Sequence, residues 1–170
     1  MRTAILTLAV LAIAAPALSK NKGETIATLR DTSGNPLGSA SAMQHGKQLM
    51  IGVIATGMPP GTHGVHVHMT GKCLPPKFES AGAHWNPTMK KHGRDNPAGA
   101  HHGDLPNLEI AADGAGRLSF MVPAGSLKGK NGLMDTDGAA IVVHAKADDY
   151  KTDPTGNSGD RIACGVFMAK

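Results

Sequence analysis

Aromatic side chains are scarce in this chain: its 170 residues include three Phe, one Trp and one Tyr. Long stretches with helical periodicity are absent as well, so a helical bundle is not the expected fold. The chain also lacks a dense basic stretch with interleaved aromatics, and we therefore predict no nucleic-acid partner. The formal net charge of +4 is mild and favours small anions or anionic surfaces.

The N-terminal segment carries the apolar run of the chain, Ala4–Ala15, directly after the basic Arg2. This run is too short for a transmembrane helix, which needs about 20 apolar residues. Ala15-Pro16-Ala17 then supplies the small residues of a cleavage site, so residues 1–19 are predicted to be a secretory signal peptide. A buried N-terminal helix and a membrane anchor are the alternatives. Residues 20–170 then form one secreted domain without a stable membrane anchor.

Cysteine is nearly absent, and Cys73 and Cys164 are the whole complement. An even pair in a secreted chain predicts a disulfide, because disulfides persist in oxidising compartments. Two free thiols or two metal ligands are the alternatives, and export argues against both. The positions stand 91 residues apart. Closing so long a loop destabilises the unfolded chain by at most about 4 to 5 kcal/mol.

Short runs of β-forming residues, bounded by Gly, Pro, Asn and Asp, predict an antiparallel all-β sandwich or barrel. Turns are predicted over Asp31–Pro36, Asp113–Gly116 and Asp135–Gly138. The segment Ser39–Gln44 is a weaker strand candidate. The predicted strands are Glu24–Leu29, Leu49–Ala55, Gly64–Met69, Leu118–Val122, Ala139–Ala145 and Arg161–Met168.

Two connecting stretches are too long and polar to be hairpin turns, Thr70–Asn107 and Lys146–Gly159. Loops longer than about 15 residues in a compact domain are usually functional or disordered. The first stretch contains Cys73 and four His, which favours a functional loop.

Histidine is the compositional anomaly, because nine occur and most lie between His63 and His102. His66 and His68 stand two apart in a predicted strand. Their side chains therefore point to one face and can grip one metal ion. Two exposed strand histidines are the alternative interpretation.

Further metal-ligand residue types occur elsewhere. His84, His92 and His101 lie in the first long loop, Asp104 follows three residues after His101, and His144 ends an apolar strand. Imidazole suits copper and zinc, and a carboxylate suits zinc. Six histidines and one aspartate exceed what one tetrahedral ion needs. They suit two ions, especially if one histidine serves both.

These residues sit in recognisable segments, which are His63–His68, Ala81–Pro87, Lys91–Gly93, His101–Asn107, Val142–Asp149 and Gly156–Gly165. In content and order the segments resemble the copper/zinc superoxide dismutases, and the resemblance covers essentially all of the expected mature chain. It implies a Greek-key antiparallel β-sandwich or barrel of about eight strands with two long functional loops. It also implies secretion to the periplasm.

The resemblance implies copper and zinc as cofactors. His84 would bridge the two ions through both ring nitrogens. The implied copper ligands are His66, His68, His84 and His144, and the implied zinc ligands are His84, His92, His101 and Asp104.

The implied activity is dismutation of superoxide to molecular oxygen and hydrogen peroxide, an antioxidant oxidoreductase reaction. Arg161 would attract and orient the anion, and His84 would deliver a proton. Thr155 matches a channel-lining position. Asp148 matches a carboxylate that orients one copper and one zinc histidine.

Two features bear on alternative interpretations. Asp160 places a carboxylate beside Arg161 and is expected to blunt the positive field there. A non-enzymatic periplasmic protein that binds or buffers copper and zinc is the alternative function, and the retained ligands and Arg161 argue against it.

A homodimer is compatible with the family, whose members pair through different faces.

Overall fold

The computed structural model of this protein describes residues 23–170, so the predicted signal peptide, residues 1–19, lies outside the described residues. Ten β-strands occur in the described part, together with one 3₁₀ turn at Glu79–Ala81. The strands are β1 Glu24–Arg30, β2 Pro36–His45, β3 Gln48–Thr56, β4 Gly61–His63, β5 Val65–His68, β6 Leu108–Ile110, β7 Ala115–Pro123, β8 Ala140–His144, β9 Arg161–Val166 and β10 Met168–Ala169.

The main sheet has the strand order β5-β8-β9-β1-β2-β3-β7, with β10 beside β1. Every paired strand runs antiparallel to its neighbour. The short pair β4-β6 joins the two ends of this sheet, because β4 leads directly into β5 and β6 turns into β7. The sheet therefore curls toward a barrel. The connections from β3 to β4 and from β7 to β8 cross between its ends, as a Greek key requires.

The core lies inside the curled sheet and follows from alternation along the strands. In β3, Leu49, Ile51 and Val53 are buried, whereas Ile54 on the opposite face is exposed. Each fully buried aliphatic side chain contributes about 1.5 to 3 kcal/mol to the free energy of unfolding. Leu, Ile, Val and Ala side chains make up most of the core, and aromatic residues are few there.

The all-β prediction is confirmed. The predicted Gly64–Met69 strand is shorter than expected, because Gly64 separates β4 from β5. The three-residue strand β6 was not predicted, since so short a segment shows no alternation. Both predicted long loops exist, between β5 and β6 and between β8 and β9.

The predicted disulfide is confirmed, and it joins Cys73 in the first long loop to Cys164 in β9. It therefore ties the histidine-rich loop to the central sheet. No helix among residues 23–170 is long and apolar enough to cross a membrane.

Candidate metal centre

The first long loop pairs with the free edge of β5, which brings loop histidines to strand histidines. Val67 N donates to Gly103 O at 2.9 Å, and Trp85 N donates to Val67 O at 2.8 Å. Gly103 permits this approach because a Cβ there would overlap Val67 O. Because side chains alternate along a strand, His66 and His68 project from the face opposite to the Val67 side chain.

Four buried histidines share one feature: one ring nitrogen is hydrogen-bonded and the other has no protein partner. Buried polar atoms almost always have partners. The nitrogens without partners are His66 Nδ1, His68 Nε2, His84 Nε2 and His144 Nε2. The same four residues form one group of potential ligands whose ligand atoms, one from each residue, lie within 4.8 Å of one another.

The second nitrogen of each ring fixes its orientation. His68 Nδ1 donates to Gly82 O at 2.8 Å, and His144 Nδ1 donates to Gly159 O at 3.0 Å. A ring nitrogen that donates to a carbonyl carries its proton, so the opposite nitrogen keeps its lone pair. These two rings therefore present lone pairs to the cluster, as metal ligands must.

A second group of ligand atoms packs around Asp104 Oδ1. The Nδ1 atoms of His84 and His92 lie 3.0 Å from this oxygen, and His101 Nδ1 lies 3.1 Å from it. His101 Nδ1 and His84 Nδ1 are 3.3 Å apart. Ligands of a tetrahedral zinc ion with bonds of about 2.0 Å are themselves about 3.3 Å apart. These four distances fit ligands of one tetrahedral ion.

Asp148 links the two groups. Its Oδ2 accepts from His66 Nε2 at 2.7 Å, and its Oδ1 lies 3.0 Å from His92 Nε2. Tyr150 N also donates to Asp148 Oδ1, and the Asn107 side chain bonds the Asp148 backbone on both sides. The carboxylate is thus held rigidly between one ring of each group.

Three histidines lie outside both groups. His63 is buried, and its two ring nitrogens lie 2.8 Å from His144 O and 2.9 Å from Pro59 O, which ties β4 to the end of β8. His102 packs edge-on against Trp85 instead of approaching the cluster. His45 is exposed at the end of β2.

Burial keeps the four-histidine cluster neutral. It lowers the pKa of His66 to about 3 and that of His144 to about 4. It also lowers the pKa of His68 and His84 below the ordinary value. Neutral imidazoles are the form that binds metal ions.

His92 behaves in the opposite way. Burial alone would lower its pKa, but hydrogen bonds with Asp104 and Asp148 outweigh burial and raise the pKa to about 9. In the same way, burial would raise the pKa of both carboxyls, yet their hydrogen bonds with the histidines hold them well below the usual range. Without metal, a proton on His92 therefore supplies the positive charge between two carboxylates.

We expect the metal-free protein to lose stability as pH falls from 6.5 to 4. In this window unfolded histidines take up protons near pH 6.5, whereas His66 and His144 stay neutral in the fold down to about pH 3 and 4. The unfolded state then binds more protons, so acid favours it. Each such histidine contributes up to about 1.4 kcal/mol per pH unit.

Urea unfolding of the metal-free protein at half-unit pH intervals measures this slope. His92 opposes this slope only at the top of the window, because its raised pKa keeps it protonated in the fold while the unfolded chain takes up the same proton near pH 6.5. His144→Gln should reduce the slope by about one proton. A free energy of unfolding that is flat between pH 6.5 and 4 contradicts the expectation.

Arg161 in β9 pairs with His144 in β8, directly after an irregularity in the register of the two strands. Bulges of this kind re-aim side chains next to functional sites. The guanidinium donates to Phe78 O at 2.7 Å and to Gly82 O at 2.8 Å. Gly82 O also accepts from His68, so one carbonyl orients both side chains.

A cavity of about 550 Å³ reaches the metal centre at His84 and His101, one ring from each ligand group. Thr155, the predicted channel residue, and Arg161 also line it. Asp160 does not line it, whereas Asp135 and Asp137 do. The sequence predicted only that these two acids lie in a turn. Which cavity a turn faces depends on packing between distant segments, and local sequence does not show it.

The curled antiparallel sheet and the two adjoining ligand groups define a class, that of all-β proteins with a histidine-rich candidate metal centre. Within that class, residues 37–167 match the family model for copper/zinc superoxide dismutase. The chain belongs to the copper/zinc superoxide dismutase family, a family of oxidoreductases.

Relatives and solved structures agree with this assignment. A superoxide dismutase [Cu-Zn] of Aquifex aeolicus is 43% identical over 144 residues, which cover 83% of this chain and 84% of the relative. The structure of a superoxide dismutase-like protein from Bacillus subtilis matches with a TM-score of 0.79 and 41% identity, covering 84% of this chain and 97% of that one. The Cu/Zn superoxide dismutase of Brucella abortus gives 0.69 and 27%, covering 85% and 99%.

Proposed function

We propose that this protein dismutates superoxide to molecular oxygen and hydrogen peroxide at a copper ion paired with a zinc ion. The observation that carries the proposal is the set of four buried ring nitrogens without protein partners, beside three further ring nitrogens packed around one carboxylate oxygen. The family supports copper and zinc as the ions. When bound, copper supplies reversible one-electron transfer and zinc supplies a redox-silent positive charge.

The copper assignment follows from the nitrogens that the protein leaves without partners. Each ring already spends its other nitrogen on Asp148, a backbone carbonyl or the second ligand group. The proposed copper ligands are His66, His68, His84 and His144.

The zinc assignment requires a choice, because a group of potential ligand atoms within 4.8 Å also contains His66 in place of His101. His66 Nε2 is occupied by Asp148, and its Nδ1 belongs to the copper group. His101 Nδ1, by contrast, lies at ligand-to-ligand distance from both Asp104 and His84. We therefore assign zinc to His84, His92, His101 and Asp104.

The assignment gives His84 two tasks. Its Nδ1 faces Asp104 and the zinc group, while its buried Nε2 belongs to the copper group. The ring would thus be shared between the two ions. His84 is the copper-group histidine that lines the cavity, so a proton that Nε2 takes up from solvent while it is not coordinated would pass from this ring to the reduced oxygen species. Delivering that proton avoids releasing a peroxide dianion.

Arg161 and Thr155 act on the substrate. Arg161 keeps a half-buried positive charge on the cavity wall and, through its planar fork, suits a diatomic anion. Two carbonyls fix its position, so little ordering is needed when the anion binds. Thr155 narrows the same cavity and favours small substrates.

A metal-loaded activity assay tests the proposal. Arg161→Ala should slow superoxide decay by about 10- to 100-fold. Arg117→Ala removes an exposed charge on β7 outside the cavity and should leave the decay rate unchanged. His144→Ala should abolish activity. A protein that binds both metals yet leaves superoxide decay at the background rate in every form is instead a copper and zinc buffer.

Gly156 leaves room for the Asp148 link, and we predict that Gly156→Ala weakens zinc binding. A Cβ at this position would overlap Asp148 Oδ1 and crowd His92 Nε2. Displacing a contact that orients a metal ligand typically costs about 10- to 100-fold in metal affinity. Competition with a chromophoric chelator measures the loss.

Gly46→Ala is the matched control for that variant. Gly46 has φ +59° and Gly156 has φ +63°, but a Cβ at position 46 meets nothing within 4 Å. Both changes therefore impose the same backbone strain, and only one disturbs Asp148. Equal zinc affinities in the two variants would show that the Asp148 link does not support the zinc group.

We also propose secretion to the periplasm, with residues 1–19 as signal peptide and residues 20–170 as the mature domain. The Cys73–Cys164 disulfide supports this location, because such bonds persist in oxidising compartments. Cell fractionation with N-terminal sequencing of the mature chain tests both statements. A homodimer stays a prediction, which sedimentation equilibrium of the mature protein tests.

A further inference from the structure

Asp135 and Asp137 belong to the connection between β7 and β8, yet they line the same cavity as His84 and Arg161. The backbone fixes their place, because Gly71 N in the metal loop donates to Asp137 O at 2.8 Å. Two carboxylates therefore sit on the wall of the channel that an anion must enter.

Neither carboxylate is neutralised by a neighbouring cation. In the described part of the chain, no ion pair includes Asp135 or Asp137. Burial and the negative charge of the neighbouring Asp137 carboxylate raise the pKa of Asp135. Arg161 is the only Lys or Arg among the residues that line the cavity.

We propose that Asp135 and Asp137 set the anion selectivity of this cavity by excluding dianions more strongly than monoanions. The inference rests on the proposed function, in which superoxide, a monoanion, must reach Arg161 and the copper group. Arg161 alone would attract phosphate or sulfate more strongly than superoxide, because its attraction grows with the charge of the anion. Two fixed negative charges on the same wall oppose that preference.

The physical basis gives a quantitative relation. Coulomb energy is proportional to the charge of the ligand, so a carboxylate that weakens a monoanion by some factor weakens a dianion at the same place by the square of that factor. At a distance of about 10 Å, one carboxylate changes the binding constant of a monoanion by between about twofold and about 16-fold, depending on the effective dielectric constant. Removing the carboxylates should therefore favour dianions disproportionately.

The test compares azide, a monoanion, with hydrogen phosphate at pH 8 on the copper- and zinc-loaded protein at low ionic strength. Azide binding is followed by the visible absorption of the copper(II) centre. Hydrogen phosphate binding is followed by the copper-induced broadening of its phosphorus NMR line. The variants are Asp137→Asn and the double change Asp135→Asn with Asp137→Asn, because Asn keeps an oxygen acceptor in the turn.

Asp113→Asn is the matched control. Asp113 lies in the turn before β7, outside the cavity, and its side-chain oxygen accepts from Ala115 N, a bond that Asn can keep. This variant changes the net charge by one without changing the charge of the cavity wall.

In the double variant we expect azide to bind at least about fourfold tighter and hydrogen phosphate at least about 16-fold tighter, with smaller gains for Asp137→Asn and none for Asp113→Asn. Affinities that do not change, or a gain for phosphate no larger than the gain for azide, overturn the inference while leaving the metal centre intact. A wild-type protein whose copper(II) spectrum does not respond to azide contradicts the proposed function itself, and the selectivity falls with it.

Discussion

His84→Ala is expected to abolish superoxide dismutation and to weaken both metal sites at once. In the proposed assignment His84 gives a nitrogen to each ligand group, with Nε2 in the copper group and Nδ1 lying 3.0 Å from Asp104 Oδ1. Removing it leaves three ligands in each group. Metal analysis after dialysis against a chelator should then show losses of both copper and zinc, with zinc affinity falling by more than about 100-fold.

His144→Ala and His45→Ala make the comparison specific. His144 belongs only to the copper group, so its loss should abolish activity and copper binding while zinc stays bound. His45 is exposed and lies in neither group, so its replacement should change nothing. If His84→Ala loses copper alone, the shared ring is the wrong description of the centre.

Removing the disulfide is expected to have the largest effect on stability. Cys73→Ser with Cys164→Ser should lower the free energy of unfolding by up to about 4 to 5 kcal/mol, because the bond closes a loop of 91 residues in the unfolded chain. Urea unfolding of the metal-free variant, beside the oxidised wild type, measures the loss.

The same variant should also lose activity while metals stay bound. The loop that carries Cys73 supplies Phe78 O and Gly82 O, which hold the Arg161 guanidinium. Without the bond to β9, this loop can move away from β9, and its two carbonyls then no longer hold the Arg161 guanidinium in place. The expected signature is weaker azide binding at unchanged copper content. A variant with wild-type stability and wild-type azide affinity would show that β9 and the loop hold each other without the bond.

The sequence was a good guide where local pattern decides the structure. Strand β3 could be predicted because Leu49, Ile51 and Val53 alternate with less buried residues. His66 and His68 could be paired because two-residue spacing on a strand fixes their common face. The two-ion interpretation came from six histidines and one aspartate, whereas the assignment of each ligand to copper or zinc came from the family resemblance.

Other features depend on packing between distant segments and could not be predicted in this way. The sequence offered Asp160 as the acid nearest to Arg161, because the two are adjacent in the chain. The structure instead brings Asp135 and Asp137 into the cavity, from a connection that begins after β7. Likewise, the close approach of Gly156 to Asp148 depends on how the second loop folds back over the zinc group.

The account depends most on His84 lying between two metal ions. The direct measurement is a crystal structure of the metal-loaded protein with anomalous diffraction recorded at the copper and zinc absorption edges. The account predicts two separate peaks, copper at Nε2 and zinc at Nδ1 of the same ring. One ion alone, or two ions with no ring between them, would contradict it.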